Sequence, residues 1–290
     1  MSLYDLLLAP FADFGFMRRA LVGCVALALG SAPVGVFLML RRLSLTGDAM
    51  AHAILPGAAV GFLVAGLSLP AMTLGGLVAG LLVALLAGAV SRVTLLREDA
   101  TLASLYLISL ATGVLIVSLR GSNVDLMHVL FGSVLALDDQ ALLLLAGIAT
   151  ATMVTLALLW RPLVLECVDA QFLRSVSRTS GLAHAALLVL VVVNLVGGFQ
   201  ALGTLLAVGL MILPAASARF WTRDLAPMTL IAVLFGLTAA FCGLVLSFHA
   251  AVPTGPAIVI AAGGGWLLSL LFGSVGGLVP RLWPARHLEA

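Results

Sequence analysis

Two ionisable residues stand where ionisable residues are rare. In the run Thr46-Gly47-Asp48-Ala49-Met50-Ala51-His52-Ala53 an aspartate and a histidine lie four positions apart within an apolar stretch. On an α-helix that spacing puts both side chains on one face, one turn from each other. A carboxylate oxygen and an imidazole nitrogen together make a donor set for a borderline divalent cation such as zinc or manganese. The binding forms are ionised aspartate and neutral histidine, so capture of a cation should weaken as pH falls. The other reading of the same spacing is an Asp–His pair that only satisfies itself between two helices. Ala49, Ala51 and Ala53 let a neighbouring helix come close. Pro56 and Gly57 follow, and a break there frees backbone polar groups beside the pair, as at substrate sites in transporters.

Other polar residues carry weaker signals. His249 closes an apolar run at Leu-Ser-Phe-His-Ala-Ala-Val-Pro and reads either as a further metal ligand or gate, or as an interfacial histidine. Asp125 and His128 lie three apart and read either as a pair that attracts or passes a cation or as surface residues with no role. Asp138 and Asp139 open an apolar run, where acidic groups suit a helix N-terminus. His184 reads as structural, Asn194 and Gln200 as interhelical hydrogen bonders, and His287 has no assigned role. No Ser/His/Asp arrangement, paired-carboxylate site, His-Glu-x-x-His zinc signature or nucleotide motif stands out, which argues against an enzyme and a nucleic-acid partner. All fourteen basic residues are arginine. Without lysine there can be no Gly-x-x-x-x-Gly-Lys-Ser/Thr loop, so any ATP the protein uses is hydrolysed by another polypeptide. Cys24, Cys167 and Cys242 form no Cys-x-x-Cys pair and read as packed thiols, with no intrinsic cofactor to hold.

The elements that position these residues must be membrane helices. The chain of 290 residues is 63% hydrophobic and 9% charged, whereas a soluble domain carries about 25% charged residues. Such a composition excludes a disordered chain, a disulfide scaffold and a secreted enzyme. The expected fold is all-α: one polytopic transmembrane domain over 1–290, with about eight or nine spanning helices. Spans are expected at 20–40, 48–68, 71–91, 101–119, 140–160, 182–199, 201–217, 226–248 and 256–274. Residues 1–19 read as an interfacial segment, 124–137 as a re-entrant or interfacial run too short to cross, and 275–290 as a tail. With the N-terminus outside, eleven arginines face the cytoplasm and Arg18, Arg19 and Arg120 face out, so the positive-inside rule favours N-out and C-in. The longest polar segment, 161–181, then lies in the cytoplasm. Asp169 is placed to cap a short helix running to about Ser177, either for docking to a partner or as a solvated connector.

Several motifs coincide with one family. Arg41-Arg-Leu-Ser-Leu-Thr-Gly-Asp48-Ala-Met-Ala-His52-Ala-Ile-Leu-Pro56-Gly57 resembles the hallmark of bacterial zinc/manganese-type ABC transporter permeases, as does the preceding Phe16-Met-Arg-Arg-Ala-Leu. Leu130-Phe131-Gly132-Ser-Val-Leu, the run from Gly203 through Pro214 to Arg219, and Val252-Pro-Thr-Gly255-Pro256 are similar to further family segments in the same order. The resemblance spans about Phe11 to Gly273. It implies an ABC importer permease fold in the bacterial cytoplasmic membrane. It also implies a homodimer, two copies of a separate cytoplasmic ATPase, and a periplasmic or surface-anchored metal-binding protein that delivers the ion. Asp48 and His52 would contact the transported zinc or manganese ion. The loop with Asp169, Gln171, Phe172 and Arg174 would be the coupling helix seated on the ATPase. Here the chain reads Asp169-Ala-Gln-Phe-Leu where the family usually has an Asp-Pro-Glu-Phe-Ala-like run, and Ser177 stands near a common glycine. A histidine at 249 lies outside the common motif and would favour zinc, which imidazole suits. The alternatives are a permease for chelated iron, a siderophore or cobalamin, and an ATP-independent metal carrier.

Overall fold

The computed structural model describes residues 3–41, 43, 46–66, 68–95, 98–119, 134–177 and 179–279. Two short helices, α1 (Leu3–Leu7) and α2 (Ala9–Asp13), precede the first long one, α3 (Gly15–Leu40). Then come α4 (Thr46–Ala53), α5 (Leu55–Ala65), α6 (Leu69–Val93) and α7 (Glu98–Leu119). A single 3₁₀ turn at Val134–Ala136 leads into α8 (Asp139–Val168), α9 (Ala170–Val176) and α10 (Thr179–Leu202). The chain ends in α11 (Thr204–Ala218), α12 (Leu225–Ala250) and α13 (Thr254–Phe272). Each expected span overlaps these helices, but 48–68 is divided between α4 and α5, 201–217 begins in the last residues of α10 and continues in α11, and 101–119 lies on α7. Seven helical stretches among the described residues, the joined α4–α5 counted as one, are long and apolar enough to cross a membrane; α11 is apolar but shorter.

Helices α3 and α10 form the centre. In their apolar spans 78% and 72% of residues are buried, against 44% or less in the other spans. Around the far ends of α3 and α4 the core contains Phe37, Leu38, Met50, Ile54, Leu187, Leu188 and Val191. Toward the other end Met17, Leu27, Leu145, Leu202, Leu206 and Leu244 pack together. The outer faces of α5, α6, α8, α12 and α13 present Val64, Val78, Leu143, Leu158, Leu230 and Ile260, all exposed. An apolar sheath of this extent is suited to lipid and not to water.

Two of the boundaries that differ from the sequence reading bear on charged residues. The interfacial segment gives way to helix at Gly15, so Arg18 and Arg19 sit in the first turns of α3. Arg19 is held there by Asp139, 3.1 Å away at the start of α8. Helix α8 also continues eight residues past the expected span, through Pro162 to Val168. Thirty residues rise about 45 Å, well beyond a hydrocarbon core of about 30 Å. Leu163, fully buried, and Glu166 anchor that extension to the bundle. Most of the run 124–137, with Asp125, His128 and the Leu130-Phe131-Gly132 motif, lies outside the described residues, as does 280–290 with His287.

Candidate functional site

The expected pair sits on α4. Asp48 and His52 share one face, with His52 Nε2 3.9 Å from Asp48 Oδ1. That is beyond hydrogen-bond length, so neither side chain satisfies the other. Their side chains are 68% and 37% exposed respectively on the single chain. The pair therefore opens outward, which disfavours the reading of a self-satisfied pair buried between helices. The opposite face of α4 buries Ala49, Met50, Ala51 and Ala53 against the core.

The neighbouring elements hold that face in place. Tyr106 on α7 lies with its ring centroid 6.3 Å from that of His52. Ser109, one turn further along α7, donates its hydroxyl to the carbonyl of Ala53 at 3.0 Å. The break between α4 and α5 is a single residue: Ile54 N–H donates to Met50 O at 3.2 Å, and Ala58 N–H to Ile54 O at 3.1 Å. Pro56 has no N–H to offer the carbonyl of His52, its partner four residues back in a regular helix. That carbonyl lacks its regular helical donor beside the pair. Just beyond, α5 and α6 cross at near contact, because a Cβ on Gly57 would run into the carbonyl of Gly75 and the reverse.

His249 is elsewhere. At the end of α12 its Nε2 lies 2.8 Å from the carbonyl oxygen of Leu6 on α1. Nearby, the Phe14 ring lies tilted against Phe248 at 5.4 Å and Phe11 stacks on Phe241 at 5.3 Å. His249 thus belongs to the contact that lays the N-terminal segment on α12. No group of three or more His, Cys, Asp or Glu side chains placed to hold one metal occurs among the described residues. At the Asp48/His52 face one chain brings together two side chains of metal-ligating type.

The short helix in the 161–181 segment is α9. Asp169 caps it, accepting from the backbone N–H of Phe172 at 2.8 Å, and Ser177 ends it. Gln171 and Phe172 are exposed on it, while Leu173 is buried and ties it to the bundle. Arg174 lies on the same helix, its side chain outside the described atoms. Asp138 caps α8 by accepting from Ala141 N–H at 2.8 Å, and Asn194 bridges helices by donating to Thr152 Oγ1 at 2.8 Å. Gln200 Nε2 is buried and finds no hydrogen-bond partner among the described residues.

The sequence reading missed a buried polar cluster. Arg41, at the end of α3, donates Nη1–H to His184 Nδ1 at 2.5 Å. Its Nη2 is 3.9 Å from Glu166 Oε1. Ser180 donates to the other oxygen of Glu166 at 2.6 Å. The available signal was a glutamate inside the otherwise apolar run from Leu163 to Cys167.

A polytopic helical bundle with an exposed Asp–His pair on one helix face and a capped helix displayed between two spans fits a transport permease. Residues 13–273 match the ABC 3 transport family, and the chain belongs to that family. A solved structure described as "PsaBC from Streptococcus pneumoniae in complex with Fab" is similar with a TM-score of 0.83 and 28% identity, covering 97% of this chain and 99% of that one. The manganese import system permease protein ScaB of Streptococcus parasanguinis is 32% identical over 257 residues, 89% of this chain and 90% of that protein. The zinc transport system membrane protein TroC of Treponema pallidum (strain Nichols) is also 32% identical, over 299 aligned residues covering 98% and 97%. The chain is accordingly a multi-pass protein of the bacterial inner membrane.

Proposed function

We propose that this chain is the membrane subunit of an ATP-driven importer of a divalent transition metal, zinc first and manganese second, and that Asp48 and His52 hold the ion on its path. The observation that carries the reading is the exposure of this pair. A carboxylate and an imidazole facing lipid would be costly, so the face must be covered, and a second copy of the chain is the economical cover. Across a two-fold axis it would add its own aspartate and histidine, completing a four-ligand set that zinc and manganese accept. Relatives named for manganese import and for zinc transport support the class of cargo.

In this reading the N-terminus lies outside and α9 lies in the cytoplasm. There α9, with Asp169, Gln171, Phe172 and Arg174, seats on a separate ATPase, because a lysine-free chain has no P-loop of its own. ATP-driven approach of the two ATPases moves the α9 helices, and the two permease copies rock between outward and inward openings around the ion. A surface or periplasmic binding protein delivers the metal. The test is isotope uptake into vesicles containing the permease, its ATPase and that binding protein. Wild type should accumulate zinc or manganese with ATP, and Asp48→Ala and His52→Ala should each lower uptake by more than about 100-fold while still assembling, since each removes a direct ligand. Wild-type uptake by both variants refutes the site.

A further inference from the structure

The buried polar cluster lies where a mechanical link would have to run. Glu166 stands three residues before Asp169, the N-cap of α9, and Ser180 stands three residues after Ser177, its C-cap. Both flanks of α9 therefore enter one cluster. Arg41, the third member, ends α3 and stands five residues before Thr46, where the helix of Asp48 and His52 begins. His184, one turn after Ser180 on α10, accepts from Arg41.

These groups are costly where they are. The side chains of Arg41 and Glu166 are 11% and 1% exposed. A buried ion pair of this kind is seldom the most stable filling for its site, because apolar residues of similar volume do as well or better. Its geometry is also incomplete. Ser180 holds Glu166 Oε2 at 2.6 Å, but Oε1 makes no hydrogen bond among the described residues. Arg41 Nη2 faces that oxygen from 3.9 Å, about 1 Å outside the length of a charge-assisted hydrogen bond. A shift of about 1 Å between α3 and α8 would close the contact. A contact with one open and one closed arrangement, shared by two moving elements, is what mechanical coupling requires.

We propose that Arg41, Glu166, Ser180 and His184 form a clasp that passes displacement of α9 to the helix carrying Asp48 and His52. Movement of α9 closes the Arg41–Glu166 contact, and the end of α3 then carries α4 with it. The four are positioning residues: none touches the ion. This inference rests on the reading of α9 as the ATPase-docking helix.

The experiment uses the complete transporter in vesicles and reads metal ions moved per ATP hydrolysed. Glu166→Gln keeps the shape and the bond from Ser180 but removes the charge. It should leave ATP hydrolysis within about twofold of wild type and lower uptake by about tenfold. Binding of zinc or manganese alone to the purified complex should be unchanged. Arg41→Gln should uncouple in the same way, and Arg41→Lys, which keeps the charge, should recover part of the loss. Uptake and hydrolysis falling in equal proportion, or an unchanged ratio, would overturn the clasp. Should Glu166→Gln fail to assemble, Ser180→Ala carries the same measurement: a lower ratio supports the clasp and an unaltered one refutes it. A wild-type transporter that moves no metal refutes the permease reading and the clasp together, whereas a metal-moving wild type with a normal ratio in Glu166→Gln refutes the clasp alone.

Discussion

At position 48 an alanine would keep the helix and lose the ion. Asp48 is exposed and has no hydrogen bond within the described residues, and alanine is the best helix former. Asp48→Ala should therefore change stability by no more than about 0.5 kcal/mol, so its transport defect can be read as lost ligation. His249 separates from the pair on the same reasoning. Its contact is with the Leu6 carbonyl, and His249→Ala should lower Tm by roughly 2–4 °C, the value of one lost hydrogen bond. Zinc-over-manganese preference in uptake should stay as in wild type; a changed preference would give His249 the ligand role. That Asp48 and His52 share one helix face was legible in the sequence, because four-residue spacing is a local rule of the helix. The clasp was not, because Arg41 and His184 are 143 positions apart and only the packing of α3 against α10 brings them together. Likewise, residue types cannot tell which helix face opens outward, so the exposure of Asp48 and His52 is read only from the structure.

Among the elements, α9 was the most legible, with Asp169 as cap and Ser177 as end, because capping is a local rule. Loss of the cap should cost about 1 kcal/mol, and in a helix of seven residues that is enough to fray it. Asp169→Ala should thus weaken co-purification of the ATPase while the membrane bundle unfolds at the wild-type temperature, as followed by thermal melts and pull-down. The extension of α8 through Pro162 was not legible, since a proline after a span reads as a stop. Tertiary contacts override it: buried Leu163 and the bond from Ser180 to Glu166 hold the helix past the proline. The α5–α6 crossing makes the converse point about small residues. Gly57→Leu has no space at the Gly75 carbonyl and should destabilise the protein by about 1–3 kcal/mol. The displacement lies one turn from His52, so the variant should lose uptake as well, checked by melting temperature and isotope uptake together.

On the scale of the whole molecule, the face that carries Asp48 and His52 lies open on the single chain. A central pair of helices, α3 and α10, is sheathed by others whose outer faces are apolar, yet α4 turns its only polar face outward. Composition made the membrane assignment plain, and the arginine bias gave an orientation; the second copy proposed from the family resemblance finds a physical reason in the exposure of Asp48 and His52. The central claim is that two copies of this pair hold one ion, and X-ray absorption at the metal edge of the loaded, purified transporter tests it most directly. The expected spectrum is a shell of nitrogen and oxygen donors at about 2.0–2.2 Å with imidazole scattering, lost in His52→Ala. A shell containing sulfur, or a spectrum that His52→Ala leaves unchanged, would contradict it.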